Sequence, residues 1–141
     1  MKVVGITGGI GTGKTTLAKI IENLGYKVIY TDLLAKKIMT ENPEIKKKII
    51  DAFGEMSYQI DGSINNKYIA DIVFGENGGQ NDKLNTLNRI VHPAVIEEMI
   101  NETEKLEQNG EEIVFIESAR IYELNLQEGF DFIIVVDSKE G

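Results

Sequence analysis

The chain contains no cysteine and a single histidine. Without thiols there can be no disulfide scaffold, thiol nucleophile or cysteine-zinc site. One imidazole makes a histidine-built metal centre a poor expectation. Positive charge is also scarce: 15 Lys+Arg face 23 Asp+Glu, for a net charge of −8. Only Arg89 and Arg120 are arginines, which leaves 15 − 2 = 13 lysines. This balance argues against general binding to nucleic acid, which needs cationic surface to displace counterions. It leaves room for one local cationic pocket that takes a single nucleotide. No window approaches the roughly 20 apolar residues needed to span a bilayer. The N-terminal MKVVGITGGIG is too short and too broken by glycine to be a signal-peptide core. The expectation is a cytoplasmic protein with no membrane and no nucleic-acid partner. What is present is ordinary for a globular domain: 141 residues, 42% hydrophobic and 27% charged, enough to bury a core.

Hydrophobic patterning gives an alternating order of elements. Lys2–Thr7, Lys27–Tyr30, Ile113–Ile116 and Phe132–Val136 are short, continuous, largely β-branched runs, as expected of buried strands. Thr15–Leu24 sets Leu17, Ile20, Ile21 and Leu24 on one helical face before Gly25. Further helices are expected at Leu33–Met39, from Pro43 through Phe53, at Asn66–Phe74, at Lys83–Val91, and from Pro93 onward. A short helix is expected between the last two strands. Strand–helix alternation of this kind implies an α/β fold with a parallel sheet and right-handed crossovers. The helical stretch between the second and third strands exceeds a simple crossover, and is expected to form an inserted lobe over residues 33–109.

Gly8-Gly9-Ile10-Gly11-Thr12-Gly13-Lys14-Thr15 satisfies G-x-x-x-x-G-K-[ST], with a strand before it and a helix after it. Backbone N–H groups that curl around a phosphate need glycine, because side chains would obstruct the approach. The positive end of the following helix adds attraction. Lys14 is expected to reach the β- and γ-phosphates of ATP, the Thr15 hydroxyl to hold Mg²⁺, and Thr16 to complete the nucleotide-binding run. A GTPase is not expected. Asn66-Lys67-Tyr68-Ile69 lacks the aspartate of N-K-x-D, and Asp51-Ala52-Phe53-Gly54 ends a helix where D-x-x-G should end a strand. Asp32 leaves the second strand at the edge where the phosphate loop also lies. There it can accept the proton of an attacking hydroxyl, or serve only as the N-cap of the next helix.

The order of motifs resembles the dephospho-CoA kinase family of P-loop kinases. The opening GITGGIGTGKTTLAKIIENLGYKVIYTD is similar to that family's first βαβ unit. Phe53-Gly54, Asp61-Gly62-Ser63-Ile64, Ile72-Val73-Phe74, His92-Pro93, Glu117–Glu123 and Phe130-Asp131 follow in the family's order. The resemblance implies transfer of the γ-phosphate of ATP to the ribose 3′-hydroxyl of dephospho-CoA, with a sheet order of 2-3-1-4. It implies Lys14 and Asp32 as catalytic residues, with Asp32 the base or positioner of that hydroxyl and the helical lobe the substrate side. His92 would lie near the substrate, or make only a helix N-terminal contact. Glu117 would touch Mg²⁺ through water, or be an ordinary strand-end carboxylate. Arg120, where the family usually carries leucine, would contact a phosphate or face solvent. Asn66 stands where arginine is usual.

The resemblance also implies a lid helix, a fifth strand and a terminal helix beyond Gly141. The single P-loop kinase domain of residues 1–141 is therefore expected to be C-terminally truncated, to bind phosphate and to transfer it slowly. A monomer is expected for the family. Self-association through an uncovered edge at Phe132–Val136 is the competing expectation. Two other functions stay open: a kinase for another small molecule or nucleotide, and a catalytically weak nucleotide-binding module.

Overall fold

The computed structural model describes residues 1–8, 13–74, 82–119, 121 and 127–137. Four parallel strands, β1 (Lys2–Thr7), β2 (Lys27–Tyr30), β3 (Ile113–Glu117) and β4 (Phe132–Val135), form one sheet in the order β2-β3-β1-β4. The two inner strands are buried almost throughout and the two outer ones are not. This explains why their sequences read as continuous apolar runs with no alternation. The chain divides into two compact units, Met1–Asp32 with Met99–Gly141, and Leu33–Glu98.

The first unit holds the sheet and α1 (Lys14–Asn23). Its core is Val4, Ile6, Ala18, Ile21 and Phe115, with Leu17, Val28 and Tyr30 packed against it. The helical face differs from the one the periodicity predicts. Ile20 and Leu24 are 52% and 71% exposed, while the small Ala18 is fully buried. Short side chains let a helix approach a sheet closely, so the true contact stripe runs through Ala18 and Ile21. Close approach recurs at Gly5. A Cβ there would lie 2.7 Å from Ile121 Cδ1 and 3.2 Å from the Phe130 ring.

The second unit is helical. It contains most of α2 (Thr31–Glu41), all of α3 (Pro43–Phe53) and α4 (Asn66–Phe74), and the first part of α5 (Asp82–Gln108). Asn42 caps α3, its side chain accepting from the N–H groups of Glu44 and Ile45, and Pro43 occupies the first turn, where no N–H is needed. Ile45, Ile49 and Phe53 form its buried stripe. The segment from Gly54, expected to be a loop, contains a 3₁₀ turn at Glu55–Ser57 and a bridge between Tyr58 and Ile64. Hydrogen bonds from the Tyr58 hydroxyl to the Met39 carbonyl and from the Tyr68 hydroxyl to the Phe53 carbonyl, both 2.6 Å, fasten it.

α5 corrects a second expectation. Two helices meeting at Pro93 are in fact one, with Pro93 inside it. Proline removes the N–H that would donate to the Arg89 carbonyl. However, Val91, Val95 and Met99 continue one buried stripe across the position, and that packing carries the helix through. Between β3 and β4 the described structure is a 3₁₀ turn at Gln127–Gly129. No described helix is long and apolar enough to cross a membrane.

Candidate active site

The C-terminal ends of the parallel strands meet at one edge of the sheet. Ile6 of β1 pairs with Glu117 of β3, and Glu117 pairs with Tyr30 of β2. The residues that follow these positions therefore leave the sheet along the same edge, with β3 between β1 and β2, so the exits of β1 and β2 lie two strand spacings, about 9.6 Å, apart. After β1 come Gly8 and the phosphate loop; after β2 come Thr31 and Asp32. Gly13 sits at the N-cap of α1 with φ 90°, the left-handed region that glycine enters without strain. Lys14, Thr15 and Thr16 open the helix, where its unpaired N–H groups and positive end lie. Gly9, Ile10, Gly11 and Thr12, together with Arg120, lie outside the described residues.

Glu117 is the organising group. It is 6% exposed, an environment that penalises a lone charge. Lys14 Nζ lies 3.6 Å from its Oε1, in a pair whose side chains are 14% and 8% exposed. The Thr15 hydroxyl donates to its Oε2 at 3.5 Å. The strand-end carboxylate thus touches the two phosphate-loop side chains expected to act on phosphate and metal. The sequence alone did not reveal this pairing, although the expected order 2-3-1-4 contains the signal: it sets the end of β3 beside the loop that follows β1.

Thr31 adds a fastening that sequence reasoning missed. Its buried hydroxyl donates to the Glu117 carbonyl at 3.0 Å, tying the end of β2 to the end of β3. Asp32 is the next residue, exposed, in the first turn of α2. The helix begins at Thr31, directly from the strand, so Asp32 lies inside the helix and is not its N-cap. His92 is half-buried in the middle of α5, in the second unit. It has no helix start beside it, which removes the N-terminal-contact role. Tyr30 flanks the site. Burial pushes its phenol above the ordinary 10.0, and the nearby Glu22 carboxylate, which accepts its hydrogen bond at 3.3 Å, pushes the same way.

A buried carboxylate and a hydroxyl are hard oxygen donors suited to Mg²⁺. Among the described residues no group of three or more His, Asp or Glu could cage a metal. The donor set therefore fits an ion that keeps water and phosphate ligands, as Mg²⁺ on a nucleotide does.

A family model described as "CoaE: Dephospho-CoA kinase" matches residues 2–140. The chain belongs to the dephospho-CoA kinase family. It is 37% identical over 141 residues to a dephospho-CoA kinase of Salinibacter ruber, covering all of this chain and 69% of that protein. It is 37% identical over 143 residues to the Chlorobaculum tepidum dephospho-CoA kinase, covering 99% and 67%. Among solved structures, the dephospho-CoA kinase of Campylobacter jejuni superposes with a TM-score of 0.70 at 26% identity, over 96% of this chain and 66% of that one. TT1252 from Thermus thermophilus superposes with a TM-score of 0.76 at 26% identity, over 96% and 65%. The chain thus spans about two thirds of the length of these relatives. Family membership makes it a phosphotransferase by descent, and both neighbours share its fold.

Proposed function

We propose that this protein transfers the γ-phosphate of ATP to the ribose 3′-hydroxyl of dephospho-CoA, yielding coenzyme A. The single observation that carries the reading is the contact of buried Glu117 with Lys14 and Thr15, at the sheet edge from which Asp32 also emerges. In this reading the phosphate loop and the start of α1 bind the triphosphate. Lys14 exchanges its contact with Glu117 for the β- and γ-phosphate oxygens, where it offsets the negative charge that develops on the leaving β-phosphate during transfer. Thr15 and Glu117 would hold Mg²⁺, which when bound neutralises phosphate charge. Asp32 orients the attacking hydroxyl and accepts its proton. The helical residues 33–109 supply the acceptor side, with His92 among its contacts. Arg120 is assigned a phosphate contact after β3. A cytoplasmic location belongs with this reading, since ATP and its acceptor are soluble metabolites.

The test is an Asp32→Asn variant in an end-point transfer assay with dephospho-CoA. Retained Mg-ATP affinity with transfer lowered roughly 100-fold or more supports the assignment. Unchanged transfer removes Asp32 from the chemistry.

A nucleotide-binding module that self-associates is the second reading. One observation favours it: on the outer strand β4, Phe132 and Val135 are 64% and 59% exposed. Light scattering with and without ATP separates it from a monomeric kinase.

A further inference from the structure

Two strand exits carry the candidate chemistry: that of β1, which leads into the phosphate loop, and that of β2, which leads into Asp32. The end of β3 lies between them, in a gap of about 9.6 Å. Glu117, the last residue of β3, reaches across both halves of this gap. On the β1 side its carboxylate meets Lys14 at 3.6 Å and Thr15 at 3.5 Å. On the β2 side its carbonyl accepts from the Thr31 hydroxyl at 3.0 Å.

The Thr31 contact is a ladder rung built by a side chain. The pairing of β2 with β3 ends where Tyr30 faces Glu117, and α2 starts at the next residue. From there the main-chain N–H groups turn along the helix axis and away from β3. The Thr31 hydroxyl supplies the cross-strand donor in their place. Threonine suits the task, because its branched Cβ leaves few χ1 rotamers and little freedom is lost when the bond forms. Thr31 is 8% exposed, so the bond is shielded from water. Tyr30, one residue earlier, is tied to α1 by its hydrogen bond to Glu22 and by the Lys19 ammonium 4.9 Å from its ring centroid. Asp32 has no such tie. It is exposed, and among the described residues no ion pair or side-chain hydrogen bond holds its carboxylate. Its placement is inherited from the residue before it.

We propose that Thr31 is a positioning residue for the transfer, its hydroxyl setting the distance between Asp32 and the Lys14–Thr15–Glu117 cluster. The inference rests on the dephospho-CoA reading and adds the group that aligns the two halves of the reaction, the hydroxyl held by Asp32 and the phosphate held by the loop. Thr31 itself touches neither substrate. In-line transfer tolerates little misplacement, and about 1 Å can cost roughly 100-fold in rate. Removing the Thr31 hydroxyl releases the start of α2 from β3 and leaves the contacts of Glu117 with Lys14 and Thr15 intact.

The experiment compares wild type, Thr31→Val and Thr31→Ser. Labelled γ-phosphate is followed from ATP into coenzyme A, and the Mg-ATP Kd and urea midpoint are measured for each protein. Valine keeps the shape and loses the donor; serine keeps the donor and loses the methyl. The expected result is a kcat lowered roughly tenfold or more in Thr31→Val, with Mg-ATP Kd unaltered, and a kcat close to wild type in Thr31→Ser. Thr31→Val as fast as wild type overturns the role and leaves the kinase reading standing. Thr31→Ser as slow as Thr31→Val assigns the loss to packing and overturns the role as well. So does a Thr31→Val protein that loses its fold or its Mg-ATP affinity, since the residue is then merely structural. Wild-type protein that binds Mg-ATP and forms no labelled coenzyme A overturns the kinase reading itself, and the positioning role with it.

Discussion

Replacing Glu117 by Gln keeps the shape of the side chain and deletes one buried charge. At the 3.6 Å separation from Lys14, the gross attraction is about 4–5 kcal/mol at an effective dielectric of about 20. Desolvation of both groups offsets most of it. Loss of the pair is expected to lower unfolding stability by about 1–3 kcal/mol, because Lys14 remains largely buried without its partner. The effect on ligands is more diagnostic. In the proposed site the Glu117 carboxylate would repel metal-free triphosphate at the very place where Lys14 would attract it, and a divalent cation would relieve that repulsion. Titration with ATP, with and without Mg²⁺, should show a strong metal dependence in the wild type. In Glu117→Gln the ratio of the two dissociation constants should shrink roughly tenfold, the equivalent of about 1.4 kcal/mol, through tighter binding of metal-free ATP and weaker binding of Mg-ATP. A variant with wild-type stability and an unchanged ratio would refute the role of Glu117 as counter-charge at the phosphate loop.

Gly5→Ala should destabilise the fold by about 1–3 kcal/mol through overpacking, because the new methyl meets Ile121 Cδ1 at 2.7 Å on a fully buried side chain; an unaltered urea midpoint would contradict it. Alkaline difference spectroscopy should show Tyr30 and Tyr58 ionising above 10.0, since burial raises both phenols and Glu22 raises Tyr30 further. The folded-state values lie above the unfolded one, so the stability linked to the neutral phenols is complete below pH 10 and falls as pH rises through the folded values. Tyr30→Phe and Tyr58→Phe should each delete part of the signal that develops above pH 10; a signal in that range left unchanged by both substitutions would count against the description of their surroundings.

The sheet was legible in the sequence because its inner strands are buried on both faces. Ile113–Ile116 and Lys2–Thr7 could therefore carry unbroken apolar runs bounded by loop residues. The phosphate loop was legible because few chemistries demand that glycine spacing together with Lys14 and Thr15. The helices were read less well where packing competes with propensity. Pro93 signals a helix start, yet the buried Val91, Val95 and Met99 run straight across it. Ile20 and Leu24 signal a buried face, yet α1 lies on the sheet through Ala18 and Ile21. Contacts between distant parts of the chain were the least visible. Neither the Lys14–Glu117 pair, 103 positions apart, nor the bond from Thr31 to the Glu117 carbonyl leaves any local trace. Both become readable only once the strand order is known.

The most direct measurement of the central claim follows the labelled γ-phosphate of ATP in a mixture of the protein, Mg²⁺ and dephospho-CoA. The account predicts that label accumulates in the 3′-phosphate of coenzyme A, and that Asp32→Asn, still binding Mg-ATP, transfers it roughly 100-fold or more slowly. Label that reaches only water or a different acceptor, or an Asp32→Asn variant as fast as the wild type, would contradict it.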